Sequence, residues 1–147
     1  MKLRIPNVHP DKQCTFLHIT WDVLKRVITS LSRQIPENAT IWGVPRGGEF
    51  IALQLSYLRP DLEVIHCGAV ECVDGVLSYE VPSHAIIVDD IVDTGETILD
   101  AHHNHYATAA AFVRAGAQVM PTFAGIVIKS KSWLIFPWEY EQLELPK

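Results

Sequence analysis

At 147 residues, 48% of them hydrophobic and 20% charged, the chain is long enough to bury a core of its own, and its composition excludes a disordered or low-complexity protein. A formal charge of −5 argues against a general nucleic-acid binder, and nowhere do about 18 consecutive apolar residues mark a membrane span. Cys14, Cys67 and Cys72 are odd in number and lack C-x-x-C spacing, so the expectation is one domain over 1–147, cytoplasmic, with neither a disulfide framework nor a zinc knuckle.

In chain order, Thr20 can cap a helix from Trp21 to about Ile35, with Leu24, Val27, Ile28, Leu31 and Ile35 on one face. Pro36 and Asn38 end it. The strand "ATIWGV" runs into "PRGG" and then an amphipathic segment, "EFIALQLSYL", which stops before Pro60. "LEVIHCGAV" is a third strand candidate, and "ECVDGVLSYEVPSH" reads as mostly loop. Ala85 to Val88 is too short an apolar run for a helix and reads as a buried strand that ends on Asp89 and Asp90. From Thr97 the spacing of Ile98, Leu99, Ala101, Tyr106, Ala109, Phe112 and Val113 predicts one long helix to Ala115, and "AQVMPTFAGIVI" predicts another strand. Strands alternating with helices imply a mostly parallel central sheet flanked by helices. The aromatic tail "SKSWLIFPWEYEQLELPK" breaks the alternation and suits a cap over the sheet.

Two turns face the carboxyl ends of these strands, where open α/β sheets bind ligands. Gly47 and Gly48 let the backbone approach an anion, and Arg46 adds positive charge. "DTGET" offers the Thr94 and Thr97 hydroxyls and Gly95 at a helix start, a cradle for a phosphate monoester. Asp89 and Asp90 suit ribose hydroxyls or a Mg²⁺ shell, with Asp93 at the mouth of the turn. Two phosphate cradles with acids between them describe a phosphorylated sugar carrying a second phosphate group.

"IIVDDIVDTGET" resembles the signature of the type I phosphoribosyltransferases. Asp93 is similar to their 6-oxopurine branch, and "ITWDVL", "GVPRGG" and "SWLIFPWE" extend the likeness to the xanthine–guanine enzymes over most of the chain. The resemblance implies that family's α/β fold, with a core over about 20–128 and a small C-terminal hood that recognises the base over about 129–147. It also implies transfer of a 5-phosphoribosyl group from phosphoribosyl pyrophosphate to a guanine, xanthine or hypoxanthine nitrogen, with Mg²⁺, in purine salvage. Pro45, Arg46, Gly47 and Gly48 would bind pyrophosphate, with a cis peptide between Pro45 and Arg46. Asp89 and Asp90 would hold the ribose hydroxyls and the metal, partly through water. Thr94, Gly95, Glu96 and Thr97 would take the 5′-phosphate, and Asp93 would serve as acid–base partner of purine N7. Trp133 would stack on the base and the Leu134 backbone would meet its exocyclic group. A homodimer or homotetramer is the implied assembly.

Three departures from the family pattern bear on function. The lysine that reads the purine 6-oxo group is expected at the end of "PTFAG", where this chain has Gly125, leaving Lys129 or Lys131 to reach in. The family's mobile loop is reduced to the short segment 71–84, in which Ser78-Tyr79 is similar to a dipeptide of that loop. The long helix adds "HHNH", with His102 and His105 on one face; without a third ligand no metal is assigned. Phe136, Trp138 and Tyr140 are expected to pack the cap, and Trp21 and Trp42 the core.

An aspartic protease reading of "IVDTG" fails because the motif precedes a helical pattern and occurs once. A phosphatase D-x-D pair does not fit acids at 89, 90 and 93. The competing function is a non-catalytic module of the same fold that senses phosphoribosyl pyrophosphate or a nucleotide. Asp93 favours the enzyme, because holding ribose and phosphates does not require it.

Overall fold

The computed structural model describes residues 2–5 and 15–139, and of the first segment only the side chain of Leu3. Cys14, Tyr140 and the last part of the expected hood, 140–147, lie outside the described residues. β1 (Lys2–Ile5) and β2 (Phe16–His18) precede α1 (Trp21–Ser32). Thr20 caps this helix, its hydroxyl accepting a hydrogen bond from Val23 N at 3.3 Å, and Leu24, Val27, Ile28 and Leu31 form its buried stripe. Beyond Ser32 the chain is held by Arg59, which donates to the carbonyls of Ser32 and Ile35 at 2.7 and 3.1 Å and pairs with Asp61 at 2.7 Å.

β3 (Thr40–Gly43) leads into α2 (Gly47–Leu58) and β4 (Glu63–Ile65). β5 (Ala69–Val73), β6 (Val76–Glu80) and β7 (Ile86–Val92) follow, then α3 (Glu96–His103), β8 (Thr108–Arg114), β9 (Phe123–Ile128) and β10 (Trp133–Ile135). The central sheet is parallel throughout, in the order β4-β3-β7-β8-β9. Its two faces are legible from alternation along the strands. Ile41, Ile86, Val88, Ala109 and Ala111 pack with α1 and α2. Trp42 and Ile87 pack on the other face, with Ala101 of α3 and with Leu3, Tyr79 and Val81.

Two smaller sheets stand apart. β1, β6 and β5 form an antiparallel arm in the order β1-β6-β5, and β10 pairs in parallel with β2. This corrects the loop expected over 71–84. Asp74 and Gly75 both take positive φ, 50° and 78°, so the two strands close as a tight hairpin.

The long helix to Ala115 is also corrected. α3 ends at His103, Asn104 Nδ2 donates to Asp100 O at 2.9 Å, and His105 turns to φ 62°. His102 and His105 therefore do not share a helical face. The following segment is β8, the fourth strand of the sheet, with every residue from Thr108 to Val113 buried. A strand covered on both faces shows no polar alternation, so alanines and large apolar residues at chance helical spacing imitate a helix. Trp42 is core at 2% exposure, whereas Trp21 is 56% exposed and faces the ring of Trp138 at 6.5 Å instead of the sheet.

Candidate active site

The carboxyl ends of β3, β7 and β8 open onto one cavity of about 590 Å³. Pro45, Arg46 and Gly47 form its first wall, and the Pro45–Arg46 peptide is cis. Gly48 lies behind them, buried; a Cβ there would stand 2.4 Å from the Val88 carbonyl oxygen, so only glycine lets α2 start this close to β7. Gly47 makes room for a side chain. A Cβ on it would fall 1.9 Å from Asp90 Oδ2, so the Asp90 carboxylate lies directly over the turn.

β7 continues through the acids to Val92, and Asp89 and Asp90 both line the cavity with their carboxyls in mutual contact. Asp89 Oδ1 accepts from Asp90 N at 2.9 Å, and Asp90 Oδ1 accepts from Ile91 N at 2.7 Å. Burial, and after it the neighbouring Asp90 charge, push the Asp89 carboxyl well above the ordinary carboxylate range, and burial raises Asp90 as well. Carboxylates so placed are hard oxygen donors for Mg²⁺, which takes one or two of them and completes its shell with substrate phosphate and water. Among the described residues no group of three or more His, Cys, Asp or Glu could hold a metal ion by itself.

Asp93, Thr94, Gly95, Glu96 and Thr97 form the next wall. Gly95 caps α3 at φ 97°, and Thr94 Oγ1 accepts from Glu96 N at 3.4 Å while Thr94 O accepts from Gln118 N at 3.0 Å. The amides of the first turn of α3 thereby face the cavity end of the helix, where an anion is favoured. Trp133 and Leu134 line the far end, with Trp133 N bonded to Thr15 O at 2.7 Å and Ile135 O to Ile19 N at 2.8 Å. Trp138 stacks between Phe50 and Phe136, each ring 4.7 Å away, and closes that end.

Lys129 is exposed and, like Lys131, does not line the cavity. Gly125 does not face it either: a Cβ there would meet Ala111 O at 2.5 Å and Val27 Cγ1 at 2.6 Å, beneath α1. The cation at a strand end is Arg114, the last residue of β8, which lines the cavity and donates from Nε to Asp93 Oδ1 at 2.8 Å. The helix expected over this segment hid the residue, because Thr108 to Arg114 is a strand. Tyr79 and Leu77 of β6 and Gly75 of the hairpin tip also line the cavity, so the arm reaches over the site. Their signal was present in the sequence, as an Asp-Gly turn between Val73 and Val76.

No protein-family model matches the chain, and no curated protein does. Solved structures do match. A purine phosphoribosyltransferase from Pyrococcus horikoshii aligns at 24% identity over 90% of this chain and 97% of its own, with a TM-score of 0.66. The Helicobacter pylori xanthine-guanine-hypoxanthine phosphoribosyltransferase aligns at 19% identity over 87% and 96%, with a TM-score of 0.63. A hypothetical protein from Neisseria gonorrhoeae, solved with bound ppGpp, aligns at 18% identity over 88% and 92%, with a TM-score of 0.60. With its five-stranded parallel sheet, the three α-helices of the described residues and the cavity at the strand ends, the chain has the type I phosphoribosyltransferase fold.

Proposed function

We propose that this protein transfers the 5-phosphoribosyl group of phosphoribosyl pyrophosphate to a 6-oxopurine, releasing pyrophosphate. The observation that carries the reading is the single cavity that gathers the Pro45–Gly47 turn, the Asp89–Asp90 pair, Asp93, the 94–97 turn and Trp133. The 94–97 turn would hold the 5′-phosphate on the α3 amides, and the 45–48 turn the pyrophosphate. Asp89 and Asp90 would orient the ribose hydroxyls and hold Mg²⁺, which when bound offsets the charge that grows on the departing pyrophosphate. Asp93, its side chain 44% exposed, would take or share the proton at purine N7. Trp133 would stack on the base. Arg114, in place of the expected lysine, would be the cation of this end, held against Asp93. Placing the anion sites on backbone amides reconciles an anionic substrate with a chain of charge −5.

The test is pyrophosphate release from phosphoribosyl pyrophosphate and Mg²⁺ with guanine, xanthine, hypoxanthine, adenine, orotate and uracil in turn. Release with a 6-oxopurine alone is the expected result, and Asp93→Asn should lower turnover by about 10²-fold or more while phosphoribosyl pyrophosphate still binds. Unchanged turnover removes Asp93 from the mechanism. The ppGpp held by the Neisseria gonorrhoeae structure favours a second reading, a nucleotide-binding module without catalysis. Saturable binding of phosphoribosyl pyrophosphate or ppGpp with no release under any base would select it.

A further inference from the structure

Arg114 does more than present a charge to the cavity. Its side chain is only 11% exposed, and its planar fork is spent on both sides of the site. From Nε it donates to Asp93 Oδ1 at 2.8 Å, from Nη2 to Ser132 O at 2.6 Å, and from Nη1 to Ser130 O. Ser130 and Ser132 belong to the turn that leads into Trp133. Ser132 Oγ lies 2.7 Å from Thr15 Oγ1, and Trp133 N donates to Thr15 O, so the tether continues into the β2–β10 pair.

We propose that Arg114 is a positioning residue that joins the candidate acid to the hood, so that Asp93 and Trp133 are set in one register around the base. The inference rests on the transferase reading of the site. A guanidinium suits this task because its donors lie in one plane at fixed angles, whereas a lysine offers a compact point charge on a flexible stem. With the fork in place, base stacked on Trp133 meets a carboxylate already turned toward it; without the fork, the acid and the hood move independently. Misplacement of an acid by about 1 Å is enough to cost two orders of magnitude in rate.

Arg114→Lys keeps the charge near the base and removes the fork. The expected result is a kcat lowered by about tenfold or more with the KM for the purine changed by less than about threefold. In an Asp93→Asn background the same substitution should cost less than about twofold further, because its effect passes through Asp93. Arg114→Ala should lose more and regain part of its kcat on addition of methylguanidinium, a rescue that a merely structural role would not give. Amide exchange over residues 130–135 of the whole protein should quicken in Arg114→Lys. A kcat at the wild-type level, an effect confined to KM, or losses that multiply in the double variant would overturn the proposal. If the wild-type protein releases no pyrophosphate with any base, the transferase reading fails, and exchange decides the tether alone: quickened exchange upholds it and unchanged exchange overturns it.

Discussion

Gly47→Ala separates the fold from the function of the 45–48 turn. The new methyl would stand 1.9 Å from Asp90 Oδ2 and 2.5 Å from Asp90 Cγ, and an ordinary carbon–oxygen contact is about 3.3 Å, so the carboxylate has to withdraw by about 1.4 Å. The obstacle is a side chain, so the backbone of α2 and β7 can stay. Pushing Asp90 off its rotamer costs about 0.5–1.5 kcal/mol, and loss of its hydrogen bond from Ile91 N, now 2.7 Å, costs about 1 kcal/mol. Against this, replacing glycine at the first residue of a helix returns about 0.4–1 kcal/mol through the unfolded chain. The net loss is about 1 kcal/mol, a fall in Tm of a few degrees. Function suffers more, since a carboxylate displaced by more than 1 Å no longer holds its ligand, and affinity for Mg²⁺–phosphoribosyl pyrophosphate should drop by about 10²-fold. Gly48→Ala is the contrast. Its methyl meets the Val88 carbonyl oxygen at 2.4 Å, which already accepts from Val44 N at 2.8 Å, so backbone must part and overpacking adds about 1–3 kcal/mol to a lost hydrogen bond of about 1 kcal/mol. Thermal melts and ligand titration calorimetry on both variants measure the two quantities. Wild-type affinity in a folded Gly47→Ala protein would refute the argument, as would a Gly47→Ala protein less stable than Gly48→Ala.

Asp89→Asn should raise stability while abolishing metal-dependent binding. Burial raises the Asp89 carboxyl, so between the unfolded value of about 3.9 and its higher folded value the native state keeps a proton that the unfolded chain has lost, and stability falls as pH rises. The Tm advantage of the variant should therefore be large at pH 8 and shrink toward pH 4, and parallel curves would show that Asp89 is not the cause. Tyr106→Phe removes a hydroxyl 2.5 Å from the buried Val81 carbonyl and should cost about 1–3 kcal/mol in urea unfolding; a loss below about 0.5 kcal/mol would mean that the carbonyl finds another donor. For Asp61, the hydrogen bond from Arg59 holds the carboxyl well below its ordinary range, so its contribution is present above the unfolded value and lost as pH falls through the folded one. The Tm gap between wild type and Asp61→Asn should narrow on acidification and in high salt, and a gap independent of both would assign the effect to packing.

The two turns proposed to hold sugar and phosphates were legible in the sequence as parts of one cavity because each is continuous in the chain. Pro45 to Gly48 and Asp89 to Thr97 are single strand-to-helix turns, and their residue types state their chemistry without reference to the rest of the fold. The parallel sheet was legible as well, from strands alternating with helices. The arm was not, although Asp74-Gly75 signals a hairpin, because β5 is exposed along its whole length and so lacks a buried face to set its register.

The far end of the cavity, proposed to hold the base, was missed for a different physical reason: no single window contains it. It is assembled from the last residue of β8, the turn at 130–132 and β10, and the bonds that join them run from Arg114 to Asp93 and to the Ser130 and Ser132 carbonyls, across 16 to 21 positions. Reading it requires knowing that Thr108 to Arg114 is a strand, and burial on both faces erases the alternation that would say so. The same burial explains the alanines: β8 runs between strands β7 and β9, with Ala109 and Ala111 under one layer and Ala110 under the other. A basic residue stands at the end of the fourth strand, and it is an arginine whose fork joins Asp93 to the turn that leads into Trp133, a geometry that a lysine in the same place would not supply.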